Sequence, residues 1–230
     1  MKKLFLASLF LFSIFNSHAQ TPVRFYENGM AGYKNPLTNQ VIVNPVYTAG
    51  SIFQEGFAIV MQNNLLGFIN ETGVLIIPCQ FADAGLFSNG LAMASDGNKY
   101  GFINTNGEWI ITAIYDLANS FTEGLARVSL NGKTGFINQQ GELKINFQFE
   151  NARDFHEGFA AIEIEGKWGF INSEGVIVVP CIWQTALDFE NGEALVVKEN
   201  VHEYKINSQG IVVYEVPDRG EPEEFETDEH

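Results

Sequence analysis

The sequence has few cysteines, few basic residues and no long apolar segment. Only two cysteines occur among 230 residues, and 13 Lys and Arg stand against 28 Asp and Glu, which gives a formal net charge of −15. Binding of nucleic acids by counterion release needs clustered Lys and Arg, so we expect no nucleic-acid partner. A spanning helix needs about 20 apolar residues, so no transmembrane segment is predicted.

Signatures of common enzymes are also missing. The sequence contains no Gly-x-Ser-x-Gly elbow, phosphate-binding loop or His-Glu-x-x-His zinc motif. Glu163 and Glu165 lie two apart on a predicted strand face, a spacing that suits glycoside chemistry and equally a solvent-facing strand. His156 falls in a slot that holds Thr122, Ser88 and Gln54 elsewhere, which favours a turn residue. We therefore predict no catalytic, cofactor-binding or metal-binding residues.

Glycine and phenylalanine, in contrast, are abundant, at 22 and 20 residues, and they recur in a fixed register. Five Phe-x-Glu/Asn-Gly elements follow one another at a spacing of 34 residues, and each is followed by an alanine. Such a period indicates tandem structural repeats. The elements begin at Phe53, Phe87, Phe121, Phe155 and Phe189.

Short runs of alternating or β-branched residues, separated by turn glycines, fill each repeat. Leu125–Ser129 alternates, Asn131-Gly132-Lys133 supplies a tight turn, and Val176–Val179 forms an apolar run before Pro180. Helical repeats of the same length are excluded, because glycines inside a helix cost about 1 kcal/mol each. The sequence predicts an all-β fold of antiparallel three-stranded meanders.

Three aromatic columns account for the many phenylalanines. One consists of the opening Phe of each repeat, and the others hold large rings at fixed later positions. Rings that recur at one place stack between neighbouring units and bury area that a single small sheet could not bury, so we predict that they form the core. The second and third columns are Phe68, Phe102, Phe136 and Phe170, and Phe81, Tyr115, Phe149 and Trp183.

The repeat register also sets the predicted boundaries. A partial unit at 26–52 precedes units at 53–86, 87–120, 121–154, 155–188 and 189–216, which together make a β-repeat domain at 20–216. A partial unit at one end could complete a blade with the other terminus. A closed β-propeller-like ring and an open curved array both remain possible.

The fourth repeat resembles the WG-repeat family of bacterial proteins. Gly166-Lys167-Trp168-Gly169-Phe170-Ile171-Asn172, followed by Gly175 and Val178-Val179-Pro180, matches the motif of that family. Other copies replace the tryptophan with Leu66, Tyr100 and Thr134, and the last copy has Tyr204-Lys205 where Gly-Phe is expected. The resemblance implies a β-rich repeat scaffold without assigned chemistry, and it supplies no catalytic residues.

Both ends of the chain depart from the repeats. Residues 1–19 combine the basic start Met1-Lys2-Lys3, an apolar run over 4–15 and Ser17-His18-Ala19, which is typical of a secretory signal peptide. We therefore expect an exported protein, located in the periplasm, at the cell surface or outside the cell. Residues 217–230 contain seven acidic residues, which predicts an acidic disordered tail.

The two cysteines, Cys79 and Cys181, occupy equivalent positions in the first and fourth full repeats. Sites three repeats apart should lie far beyond the roughly 7 Å between Cα atoms that a disulfide tolerates. We expect both cysteines to be reduced and buried, in the slot that Ala113 and Phe147 fill elsewhere.

Two classes of function fit this sequence. The first is an exported, non-catalytic module that binds a protein or a cell-envelope polymer through loops along one face of the stacked units, without a cofactor. Arg127, Arg153 and Trp109 interrupt the repeat pattern and could contribute to such a surface. The alternative is a glycan-acting enzyme on a β-repeat frame, which a cluster of non-repeated Asp, Glu and His would favour.

Overall fold

The computed structural model describes residues 20–198 and 202–216. The predicted signal peptide at 1–19 and the predicted acidic tail at 217–230 lie outside them. Within the described ranges the regular structure is entirely strand, which confirms the all-β prediction. No helix in this part of the chain has the length and apolar character needed to cross a bilayer.

The strands form six antiparallel sheets in the described residues, named sheets 1 to 6 in chain order. Sheet 1 has three strands, and each later sheet has four. Their bounds are β1 Val23–Glu27, β2 Met30–Lys34, β3 Val41–Tyr47; β4 Ala49–Gly50, β5 Phe57–Gln62, β6 Leu65–Asn70, β7 Leu75–Phe81; β8 Asp83–Ala84, β9 Leu91–Ser95, β10 Tyr100–Asn104, β11 Trp109–Tyr115; β12 Leu117–Ala118, β13 Leu125–Leu130, β14 Lys133–Asn138, β15 Leu143–Phe149; β16 Asn151–Ala152, β17 Phe159–Ile164, β18 Lys167–Asn172, β19 Ile177–Trp183; β20 Thr185–Glu190, β21 Glu193–Val197, β22 Glu203–Asn207, β23 Val212–Glu215.

The prediction of three-stranded units was wrong for sheets 2 to 6. In sheets 2 to 5 the additional strand has two residues and begins after a single linking residue, as where β11 ends at Tyr115 and β12 begins at Leu117. A two-residue strand is too short to show an alternating pattern, so it leaves no periodic signal in the sequence. Its pairing is nevertheless regular, because Leu117 and Ala118 pair with Ser129 and Val128 of β13.

The core lies between consecutive sheets, and the predicted aromatic columns form it. The second-column rings Phe68, Phe102, Phe136 and Phe170 are at most 1% exposed. Each packs against the opening Phe of the next repeat: the ring centroids of Phe136 and Phe155 lie 4.9 Å apart, in an edge-on arrangement. Each sheet therefore buries its aromatic face on its neighbour, as repeat stacking requires.

In each of sheets 1 to 5, a glycine in the next-to-last strand permits a close approach of the last strand. In sheet 3, Tyr100 pairs with Tyr115 and Phe102 with Ile111, so three residues of β11 face Gly101 alone. A Cβ atom on Gly101 would lie 2.4 Å from the carbonyl oxygen of Ile111. In sheet 6, Tyr204 takes this position, and the pairing from Tyr204 to Lys205 shows no shift. The Gly of the repeat motif is thus explained by backbone geometry.

No closed ring is found among the described residues. Hydrogen bonds and ring contacts join each sheet to the next one, as where Gln54 Nε2 donates to the Phe87 carbonyl oxygen at 2.7 Å. Each described sheet is thus joined to the next along the chain, an arrangement that the predicted ring and the predicted open array share.

Candidate binding groove

A groove of about 650 Å³ lies on sheet 6, next to the loop that joins β16 to β17 of sheet 5. Sheet 5 contributes Arg153 and His156 from this loop. Sheet 6 contributes residues at the end of β20 and across β21 and β22. The lining from sheet 6 is Leu187, Asp188, Phe189, Glu190, Glu193, Ala194, Leu195 and Lys205. Its volume is in the roughly 300–1,000 Å³ range of small-molecule sites.

Two polar atoms at this groove are shielded from solvent and have no hydrogen-bond partner. They are Nε of Arg153 and Oδ1 of Asp188. The other oxygen of Asp188, Oδ2, lies 3.8 Å from Nε2 of His156. The guanidinium of Arg153 lies over the Trp168 ring, with Cζ 5.9 Å from the ring centroid. Both atoms have almost no accessible surface, so each costs free energy without being open to a molecule in the groove.

The equivalent place between sheets 4 and 5 is already occupied by the chain itself. There Nε of Arg127 donates to Oδ1 of Asp154 at 3.0 Å, and Nδ2 of Asn119 donates to Oδ2 at 3.3 Å. One repeat later, the positions of Arg127 and Asp154 hold Ala161 and Asp188. Because Ala161 has no polar side chain, the carboxylate of Asp188 loses the partner that Asp154 has.

The remaining charges of the groove partly neutralise each other. Nζ of Lys205 lies 3.1 Å from Oε2 of Glu193, so these two side chains form an ion pair. Arg153 lines the same groove as the carboxylates of Asp188 and Glu190. The groove therefore combines donors and acceptors without a strong excess of one charge.

The three residues that interrupt the repeat pattern, Arg127, Arg153 and Trp109, lie in different places in the structure. Arg153 lines the groove. Arg127 is held in its ion pair with Asp154, and Trp109 packs edge-on against Phe81, with ring centroids 5.7 Å apart. Neither Arg127 nor Trp109 lines the groove.

His156 occupies a turn, as predicted, and also reaches the groove. The predicted shared strand face of Glu163 and Glu165 is wrong. Glu163 belongs to β17, whereas Glu165 lies in the following turn with a φ of 52°. Whether the two side chains share a strand face depends on where β17 ends. It ends at Ile164, and the spacing of the two acids does not reveal this.

Sequence reasoning missed Asp188 and Lys205. Asp188 repeats Asp154 and therefore did not stand out as an interruption of the pattern. A search for repeated acids whose repeated partner has been lost, as at Ala161, could have found it.

The two cysteines lie outside the groove and are free thiols, half-buried rather than fully buried. Sγ of Cys79 lies 3.7 Å from the Val60 carbonyl oxygen. Burial raises the pKa of both thiols. Within residues 20–198 and 202–216, no group of three or more His, Cys, Asp or Glu is placed to hold a metal ion.

The chain is similar to known proteins in sequence and in fold. The sequence model of the family described as "WG containing repeat" matches residues 32–65, 67–100, 100–133, 135–168 and 168–201. No curated protein matches the sequence significantly.

Among solved structures, the computationally designed Ika8 protein is 10% identical, with a TM-score of 0.51 over 85% of this chain and 71% of that one. BamB from Moraxella catarrhalis is 9% identical, with a TM-score of 0.51 over 85% of this chain and 75% of that one. At this identity the likeness concerns the fold alone, which is propeller-like.

Proposed function

Because the chain belongs to the family of WG-containing repeat proteins, we propose that it acts as an exported, non-catalytic binding module for a protein or a cell-envelope polymer. The observation that carries this proposal is the groove on sheet 6. It is lined by charged side chains of two sheets beside apolar ones. A concave site with a few polar groups among apolar side chains is typical of ligand recognition.

The rigidity of the neighbouring framework supports a binding role. Arg153 and His156 lie in a loop whose flanking residues, Ala152 and Phe155, are at most 3% exposed. The backbone N–H of Arg153 donates to the Ala161 carbonyl oxygen at 2.8 Å. Side chains held by such a packed frame lose little conformational freedom when a ligand binds.

Export is part of the proposal and rests on residues 1–19. Expression of the full chain in a Gram-negative host should yield a protein that begins at Gln20, as measured by intact mass of the periplasmic fraction. Retention of the first nineteen residues would contradict it.

A pull-down tests the binding role. The purified protein is immobilised and exposed to envelope extract and to insoluble polysaccharide fractions of its own host, with mass spectrometry and sugar analysis of what is retained. We expect one protein or polymer to be retained specifically. Retention no greater than on a column carrying heat-denatured protein would contradict the proposal.

One observation favours the enzymatic alternative. His156, Asp188, Glu190 and Glu193 line a single groove, and two carboxylates with an acid–base group are the residue types of glycan hydrolysis. A glycan-acting enzyme should shorten a polysaccharide from the same fractions, as seen by size-exclusion chromatography. Asp188→Asn and Glu190→Gln should abolish that shortening if the groove is the active site.

A further inference from the structure

We propose that the acidic segment 217–230 docks on sheet 1 of its own chain, where Phe225 covers Val23 and Phe25 and the carboxylates meet the cations of that sheet. The segment, which lies outside the described residues, thereby caps the first end of the array of sheets. This inference does not depend on the binding role proposed above. The surface concerned is on sheet 1, whereas the groove is on sheet 6.

One face of sheet 1 lacks the cover that the same face has in sheet 2. In sheet 2 this face is fully buried against sheet 1. Its residues are Ala58, Val60 and Ile69. With the close-approach glycines Gly32 and Gly67 aligned, the strand register places Val23, Phe25 and Lys34 at these positions of sheet 1. Val23 is 41% exposed, and the other two are half-buried, so the first end of the array presents apolar surface.

The three side chains form one patch. Val23 and Lys34 are direct partners across β1 and β2. Nζ of Lys34 lies 5.8 Å from the centroid of the Phe25 ring. A Cβ atom on Gly32 would lie 2.9 Å from that ring, so the ring lies over the glycine. The patch combines apolar side chains with a cation, and a segment that carries one large apolar side chain among carboxylates fits it.

Sheet 1 carries the positive charge of the array. Residues 20–52 contain Arg24 and Lys34 against Glu27, which gives a formal charge of +1. None of the five full units that follow has a positive formal charge, and the chain as a whole has −15. An acidic segment is therefore attracted to sheet 1 more than to any later sheet.

The two cations of sheet 1 have no carboxylate partner among the described residues. The guanidinium of Arg24 donates to the Gly50 carbonyl oxygen. Lys34 lies against the Phe25 ring. Both cations are therefore available to carboxylates of the segment, whereas Lys144 of sheet 4 already has an ion pair.

The segment 217–230 has the composition that the patch requires. Its seven acidic residues stand against Arg219, which gives a formal charge of −6. Phe225 is its only large apolar side chain and lies between Glu224 and Glu226. A segment of this composition is predicted to be disordered when free, and such segments can become ordered on binding. Burial of the Phe225 ring supplies the apolar contribution to that binding.

The segment is also long enough to reach sheet 1. The backbone N–H of Val216 donates to the Glu203 carbonyl oxygen at 2.9 Å, which fixes the start of the segment on sheet 6. Nine residues lead from Val216 to Phe225, and nine extended residues span up to about 30 Å. A compact domain of about 190 residues is about 40 Å across. In a propeller-like arrangement the sheets turn around a common axis, which brings the two ends closer together than that width.

The segment of the same chain is favoured over other occupants of the patch. Residues 1–19 are next to sheet 1 in sequence but are the predicted signal peptide, which the exported protein has lost. A tethered segment has an effective concentration in the millimolar range. At micromolar protein concentration it therefore occupies the patch before the segment of a second copy does.

Paramagnetic relaxation enhancement in the protein that begins at Gln20 tests the docking. A nitroxide is attached at Thr227→Cys, two residues from Phe225, after Cys79→Ala and Cys181→Ala have removed the native thiols. The amide signals of β1 and β2 should lose at least half of their intensity relative to the reduced label. The signals of β13 and β14 in sheet 4 should keep at least nine-tenths of theirs. Equal effects on the two sheets, or no loss in β1, would overturn the proposal.

A mixed sample identifies which chain supplies the segment. Isotope-labelled protein without nitroxide is mixed with an equal amount of spin-labelled protein without isotopes. Signal loss in β1 of this mixture can come only from the segment of a second copy. We expect no loss. A loss in the mixture would show docking between copies and would overturn the assignment to the same chain.

Variants test the contacts themselves. Phe225→Ala removes the apolar side chain and Lys34→Gln removes the cation of the patch, so each should reduce the relaxation enhancement in β1 at least twofold. Lys144→Gln is the control for a lost cation, because Lys144 pairs with Glu142 in sheet 4, and it should leave the enhancement unchanged. An enhancement that survives both patch variants would contradict these contacts. Urea midpoints of all variants show that each is folded.

Discussion

Oε2 of Glu157 accepts a hydrogen bond from the backbone N–H of Gly192 at 2.8 Å, across the boundary between sheets 5 and 6. Oε1 of the same carboxylate accepts the N–H of Asn191 at 2.7 Å. Each of these residues lies in a tight turn with positive φ values, 52° at Glu157 and 54° at Asn191. The acid of one turn therefore fixes the turn of the next repeat.

This link recurs along the chain but is interrupted once. Glu55 bonds to the N–H groups of Asn89 and Gly90, and Glu123 bonds to that of Gly158. At position 89 the repeat has Asn instead of Glu, and its amide donates to Ser88 at 3.3 Å. The Glu of the Phe-x-Glu-Gly element thus joins consecutive sheets.

The Glu157 link should contribute measurably to stability. Replacing Glu157 with Gln removes the charge and leaves one acceptor oxygen for two backbone N–H donors. Because the site is exposed, we expect a loss of about 1 kcal/mol in the free energy of unfolding. Urea unfolding followed by circular dichroism measures it. The reverse change, Asn89→Glu, should add the missing link and stabilise the protein, and a destabilised Asn89→Glu variant would contradict this explanation.

The aromatic core predicts a large effect of truncation. Phe136 is fully buried and packs on Phe155, so Phe136→Ala should lower the free energy of unfolding by about 3 to 5 kcal/mol through lost burial and a cavity. Chemical denaturation is the measurement. Leu37, which is 73% exposed, provides the control, because Leu37→Ala should change stability by less than about 0.5 kcal/mol. Similar losses in both variants would be inconsistent with this core.

The close approach at Gly101 can be tested with a single methyl group. Gly101→Ala would place Cβ 2.4 Å from a backbone oxygen that cannot move without disrupting the bulge, and a loss of about 3 kcal/mol is expected. In Gly85→Ala the nearest atom is the Ser120 hydroxyl at 3.0 Å, which can rotate away, so the loss should be smaller. Thermal unfolding of the two variants compares them, and equal shifts would speak against the bulge as the cause.

Tyr33 should make stability depend on pH in the alkaline range. Burial raises its pKa from 10.0 to about 12, although Arg24 acts in the opposite direction. Between pH 10 and 12 the unfolded chain has lost this proton and the folded chain retains it, so stability is full below pH 10 and falls as pH rises through that window. The slope from this residue approaches about 1.4 kcal/mol per pH unit.

Urea unfolding at several pH values between 9 and 11.5 measures that slope. Tyr33→Phe removes the titrating group and should flatten the dependence, although it also loses the hydrogen bond from the phenol to the Ser51 carbonyl oxygen. The pKa values of Tyr47 and Tyr115 are also raised by burial, and their contribution remains in the variant. An identical slope in the wild type and Tyr33→Phe would show that another group is responsible.

Much of the architecture follows from the sequence alone. The spacing of residues such as Phe121 and Phe155 determined the repeat, and the turn glycines with short β-branched runs determined antiparallel strands, because these signals are local and are repeated five times. Burial of Phe136 and its equivalents also followed, since a large apolar ring at a fixed place in every unit must find a neighbour. These features depend on period and composition, which a chain displays without being folded.

The two-residue strands and the groove depend on how the chain packs. The two-residue strand at Leu117 is too short to leave a pattern, and it exists because the neighbouring β13 offers backbone groups to pair with. The groove brings together Arg153 of sheet 5 and Asp188 of sheet 6, which lie on one groove only when the two sheets pack together. Whether a polar atom such as Oδ1 of Asp188 has a partner is a property of that packing, because an acid at the same repeat position, Asp154, is fully paired one sheet earlier.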